Sequence, residues 1–100
     1  MNAATLTPEK VAKILRPVFE RYNVRRAVLF GSIAKGTNDE NSDVDLLVDS
    51  GLRGLKFCGF AADIEELLGF DADVFDVKHI IPESRIDLEI AATGVCIYEA

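Results

Sequence analysis

Helical and strand-like segments alternate along this chain, so the sequence predicts an α/β or α+β class with helices packed on a sheet. Three observations carry that reading. Apolar residues after Thr7-Pro8 recur at helical spacing. Ala27-Val28-Leu29-Phe30 is an unbroken apolar run, which suits a strand covered on both faces. The 100 residues are 49% hydrophobic and 28% charged, the profile of a globular chain rather than a disordered one.

Thr7 reads as an N-cap and Pro8 as the first helical position. Val11, Ile14, Leu15, Val18 and Tyr22 then form a stripe that Phe19 widens, and Pro17 interrupts the pattern as a candidate kink. The helix ends near Asn23, a residue that tolerates left-handed backbone. Val24 to Phe30 is the first strand, and Gly31-Ser32 breaks it. Ile33-Ala34-Lys35 has room for only a turn or two of helix, and residues 36–41 form a polar loop. Ser42 to Val48 is the second strand.

Leu55 to Leu68 is a helix with Phe57, Phe60, Ala61, Ile64, Leu67 and Leu68 on one side, stopped by Gly69. Ala72 to Val77 is the third strand. Pro82-Glu83-Ser84 opens a last helix that reaches Thr93, and Val95 to Tyr98 is a short final strand. There are no repeats and no linker, so residues 1–100 read as one domain.

The 11 Lys and Arg against 17 Asp and Glu give a net charge of −6. That balance argues against strong nucleic-acid binding through a basic surface, yet allows a nucleotide held through bridging metal ions. No apolar run is long enough to span a membrane, and Met1 to Thr5 lacks the basic-then-apolar order of a secretory signal, so a cytoplasmic location is expected. Cys58 and Cys96 are far apart and read as reduced, partly buried thiols. His79 is the sole histidine, too little for a histidine-rich zinc site.

The chemistry concentrates in acids. Asp43 and Asp45 stand two apart in Ser42-Asp43-Val44-Asp45, and period two places both carboxylates on one face of a strand, with Val44, Leu46 and Val48 on the core side. Two such carboxylates repel unless a cation lies between them. Oxygen ligands without sulfur or imidazole favour Mg²⁺ or Mn²⁺. Asp73 joins them if its strand lies beside the second, giving the three carboxylates that two-metal phosphoryl transfer uses. The plain alternative makes Asp71, Asp73 and Asp76 ordinary strand-edge charges. Gly31 and Ser32 form a turn where backbone N–H groups and a hydroxyl can hold phosphate oxygens, with Lys35 one turn later. The spacing is not that of a Walker loop.

Leu29-Phe30-Gly31-Ser32-Ile33-Ala34-Lys35-Gly36, followed after a ten-residue gap from Ser32 by Asp43-Val44-Asp45, resembles the nucleotidyltransferase motif of the polymerase-β superfamily. Within it, the chain resembles the minimal nucleotidyltransferases encoded beside a HEPN-domain partner. The resemblance implies a palm-type fold, α+β, with a mixed sheet of about four strands flanked by helices; strand–helix alternation alone would suggest an all-parallel sheet. It implies that Gly31, Ser32, Lys35 and Ser42 hold the nucleotide. It also implies that Asp43, Asp45 and Asp73 bind two Mg²⁺ (or Mn²⁺) ions, and that Asp73 helps activate the acceptor. The implied reaction is transfer of NMP from an NTP, AMP from ATP above all, to a tyrosine of the HEPN toxin, whose RNase activity is thereby silenced. The acidic loop at 37–41 departs from relatives that carry a basic residue there.

Three functions follow. One is a nucleotidyltransferase antitoxin. Another is a weakly catalytic antitoxin that neutralises by contact, an acidic protein suited to a basic partner. The third, transfer to a small molecule, lacks a substrate pocket beyond the palm. A homo-oligomer is a further option. His79 reads as a loop residue and Arg85 as an exposed helix charge. Tyr98 reads as packing, and surplus apolar surface on the first or third helix as a partner contact.

Overall fold

The hydroxyl of Thr7 accepts from the Lys10 N–H at 3.2 Å, satisfying an N–H that the first helical turn leaves without a partner. Helix α1 (Pro8–Arg21) therefore starts where the Thr-Pro pair predicts, and it runs through Pro17. Asn23 follows with φ +55, the left-handed residue that ends it. The computed structural model describes residues 3–100; Met1 and Asn2, the start of the segment read as leader-free, lie outside the described residues. No helix among the described residues is long and apolar enough to cross a membrane.

The remaining elements are β1 (Arg26–Phe30), α2 (Ser32–Lys35), β2 (Val44–Asp49), α3 (Leu55–Leu68), β3 (Ala72–Asp76), α4 (Arg85–Thr93) and β4 (Val95–Glu99). Short 3-10 turns cover Ala3–Thr5 and Val77–His79. The sheet order is β3-β2-β1-β4. β1 is antiparallel to both β2 and β4, and β2 is parallel to β3. The sheet is thus mixed, as the family resemblance implied and alternation alone did not.

β1 lies in the middle, which is why Ala27 to Phe30 are all buried. Ala27 and Leu29 meet α1 and α3 through Leu15, Phe19, Phe60 and Ile64, and Val44, Leu46 and Val48 of β2 extend this core. Burying each such side chain stabilises the fold by about 1.5–3 kcal/mol before chain entropy is counted. Phe30 turns to the other face and packs on Phe75, with ring centroids 6.1 Å apart.

Several expectations shift. The second strand begins at Val44 rather than Ser42, because Ser42 closes a turn: its Oγ accepts from the Asp39 N–H at 2.9 Å. The first strand begins two residues late and the third ends one residue early. Leu67 is exposed, since Phe60, Ile64 and Leu68 alone fill the buried face of α3. Cys58 and Cys96 are free, as expected, but exposed rather than partly buried: one lies on the outer face of α3, the other on the edge strand β4. Asp76, offered above as an edge charge, is buried and accepts from Ser50 N–H, Ser50 hydroxyl and Lys78 N–H.

Candidate active site

The C-terminal end of β1 and the N-terminal ends of β2 and β3 meet at one edge of the sheet, because β1 runs against the other two. Asp45 sits there. It pairs in register with Phe30 on one side and with Asp73 on the other. Its side chain leaves the face opposite the buried Val44 and Leu46 and is half-buried. Period two along β2 therefore aims Asp45 away from the core, and the parallel register brings Asp73 alongside it.

Gly31 lies next to Phe30 and under Asp45. Its backbone has φ +82 and ψ −155, a region essentially reserved for glycine. A Cβ at this position would stand 2.5 Å from Asp45 Oδ2 and 3.5 Å from Glu89 Oε1. The missing side chain is thus the space that two carboxylates share. The Gly31 N–H donates to Thr93 Oγ1 at 2.9 Å, and the Thr93 hydroxyl donates to the Glu89 carbonyl at 2.9 Å. These two bonds fix the C-terminal turn of α4 against the turn that follows β1.

Partial burial pushes the Asp45 carboxyl up to about 6, and the negative charges of Asp73, Glu89 and Asp43, in that order, push it the same way. The Asp45 carboxylate makes no hydrogen bond and no ion pair with the described residues, and neither does the ammonium of the exposed Lys35. The local charge is therefore negative and uncompensated. The donor set is all oxygen and suits a hard divalent cation such as Mg²⁺ or Mn²⁺. Among the described residues, no three His, Cys, Asp or Glu side chains converge closely enough to hold an ion as they stand.

The structure brings Gly31, Asp45 and Asp73 together. Asp43 is exposed and lies one residue before β2, near enough for its charge to act on Asp45. Ser32 begins α2 and its hydroxyl has no partner among the described residues. The Ser42 hydroxyl is engaged within its own turn with Asp39. The Gly31 N–H is taken up by Thr93 Oγ1. Glu89 was not among the sequence candidates. Its place between Leu88 and Ile90 gives only a weak signal, because Arg85 and Asp87 of the same helix are charged too. His79 is exposed in a 3-10 turn with its ring edge on Phe57, at 5.6 Å between centroids. Arg85 is exposed at the start of α4, and Tyr98 packs on Phe19 at 5.1 Å.

The family model described as "Polymerase beta, Nucleotidyltransferase" matches residues 10–100. The protein adenylyltransferase MntA of Thermococcus cleftensis is 39% identical over 77 residues, 71% of this chain and 78% of the relative. A solved structure described as a toxin–antitoxin with AMP-PNP superposes with a TM-score of 0.73 at 20% identity, over 89% of this chain and 73% of that one. A second, described as a tri-AMPylated Shewanella oneidensis HEPN toxin in complex with MNT antitoxin, gives 0.61 at 20% identity, over 97% and 73%. At those identities the two structures speak for the fold.

Proposed function

This chain belongs to the polymerase-β nucleotidyltransferase family, and from that premise we propose that it moves AMP from ATP to a tyrosine hydroxyl of a HEPN-domain partner, acting as its antitoxin. The observation that carries the reading is the pairing of Asp45 with Asp73 directly above the side-chain-free Gly31. The activity named for the Thermococcus relative supports it, as do the AMP-PNP and AMPylated toxin named for the two structural neighbours.

In this reading Asp43, Asp45 and Asp73 hold Mg²⁺, which when bound screens the charge of the triphosphate and of the leaving pyrophosphate. Ser32 offers its hydroxyl to a phosphate oxygen, with Lys35 on the next turn and Ser42 across the loop. Asp73, at the outer strand and exposed, faces the side from which an acceptor arrives and takes the hydroxyl proton. The acceptor oxygen bonds to the α-phosphorus as the bond to the bridging oxygen breaks, and pyrophosphate carries away the electron pair. Docking of the partner aligns the acceptor with the palm. The reaction takes place in the cytoplasm, where ATP is available.

The test is incubation with Mg²⁺, each α-labelled NTP and the co-expressed HEPN partner, with Asp43→Asn/Asp45→Asn as the control. Label on the partner from ATP, absent with the control, is the expected result. A stable complex without label from any NTP would favour neutralisation by contact.

A further inference from the structure

The Phe30–Gly31 peptide is held by a side chain from the far end of the sequence. Gly31 is buried, and its N–H donates to the hydroxyl of the half-buried Thr93 at 2.9 Å. That hydroxyl donates in turn to the Glu89 carbonyl at 2.9 Å, one helical turn back, which leaves its lone pairs to face Gly31. The Gly31 carbonyl accepts from the Lys35 N–H at 3.1 Å. The peptide planes on both sides of the Gly31 Cα are therefore tied, one by Thr93 and one by α2. Glycine has no side chain to limit its own angles, so such ties set its φ of +82 and ψ of −155. Gly94 brings Thr93 within reach. A Cβ on Gly94 would stand 3.0 Å from Val28 Cγ1 and 2.6 Å from the Ile90 carbonyl oxygen, so the absence of one lets the last turn of α4 rest on the central strand.

Ser32 follows this peptide directly, and its hydroxyl leaves from backbone whose direction Gly31 sets. Asp45 stands over the same glycine, its Oδ2 2.5 Å from where a Cβ would lie. A rotation at Gly31 would therefore move the Ser32 hydroxyl relative to the Asp45 carboxylate. Misplacement by about 1 Å is enough to slow a positioned reaction strongly. Resting on the nucleotidyltransferase reading of the site, we propose that Thr93 is a positioning residue for nucleotide binding. Through its hydroxyl it orients the Gly31 peptide, and so places Ser32 for a phosphate oxygen, without touching the substrate itself. The local motif contains no partner for the Gly31 N–H; α4 supplies it from 62 residues further along the chain.

The test separates a role in nucleotide binding from a role in holding α4 together. AMP transfer to the co-expressed HEPN partner is measured across ATP concentrations for the full chain and three variants. Calorimetry reads the binding of AMP-PNP with Mg²⁺, and thermal melting checks folding. Thr93→Val keeps the branched shape and removes the hydroxyl. It should raise KM for ATP and weaken AMP-PNP binding about tenfold, with kcat changed less than about threefold. Thr93→Ser keeps the hydroxyl and should restore both to within about twofold of native. Ser84→Ala removes the cap at the other end of α4, where the Ser84 hydroxyl accepts from the Asp87 N–H at 3.3 Å. It should lower the melting temperature and leave KM within about twofold of native. Native KM and native AMP-PNP affinity in Thr93→Val, or a fall in kcat alone, overturn the inference and leave the site reading standing. An equal rise in KM with Ser84→Ala overturns it too, by tracing the effect to a weakened α4, as does failure of Thr93→Ser to restore binding. A native chain that neither transfers AMP nor binds AMP-PNP overturns both. If it binds AMP-PNP without transfer, the transfer reading falls and the calorimetry alone decides the inference. Should Thr93→Val melt below the assay temperature, Thr93→Cys, with a weak sulfur acceptor in place of the hydroxyl, replaces it; native affinity there overturns the inference.

Discussion

Asp45 and Asp73 face each other across the parallel pair β2–β3, and the repulsion between them is built into the register. Shifting either strand by one residue would point one carboxylate into the core. The fold therefore fixes the two acids together whether or not a cation is present, and the protein without metal bears the cost.

That cost has a pH signature. The Asp45 carboxyl lies at about 6, above its ordinary value of 3.8, so between those limits the folded chain binds more protons than the unfolded one. Without divalent metal, stability is greatest at the acid end of this window and falls as pH rises through about 6. Asp45→Asn should flatten that fall. Asp45 is partly solvated, so the gain at pH 7.5 is set at only about 1 kcal/mol, vanishing near pH 4. Urea denaturation in EDTA at a series of pH values checks it; a variant less stable than the native chain at pH 7.5 refutes it. The same substitution should abolish AMP transfer.

Gly31 and Gly36 separate two effects of glycine. Both have positive φ, +82 and +78, but a Cβ at Gly31 strikes Asp45 whereas one at Gly36 meets open space. Gly36→Ala should cost about 1 kcal/mol, the strain of a left-handed alanine. Gly31→Ala should cost about 2–3 kcal/mol, because its backbone region is harsher and Asp45 must move. It should also lower transfer far more than Gly36→Ala. Denaturant melts and a labelled-AMP assay on the two variants decide this.

The Ser50–Asp76 network lies at the opposite end of β2 and β3. Asp76 is only 2% exposed and accepts three hydrogen bonds, two of them from backbone N–H groups. Asp76→Ala leaves the buried Ser50 N–H and hydroxyl without their acceptor, for a loss of about 2–3 kcal/mol in urea denaturation. Metal binding by the fraction that remains folded should be unchanged. A loss in binding that exceeds the loss in folded protein would contradict this division of labour.

Much of this was legible in the residues. The bounds of α3 follow from Leu55 to Leu68 and the closing Gly69, because a long amphipathic stripe with a glycine stop has little else it can form. Asp45 and its core-facing neighbours follow from period two. Strand direction did not follow from alternation: the chain between β1 and β2 contains only the short α2, too brief for a crossover, and that shortness is the physical sign of an antiparallel pair. Asp76 and Glu89 were missed for a common reason. The meaning of each depends on a residue distant in sequence, Ser50 for one and Gly31 for the other, and no local period reports such a contact.

β4 follows every other element in the chain yet pairs with the central strand β1. As the polypeptide leaves the ribosome, the apolar Ala27–Phe30 ribbon can acquire β2 early, while its other flank waits for Val95–Glu99. Through that interval a hydrophobic strand edge stays open to any extended chain nearby, the kind of edge through which partly folded chains aggregate.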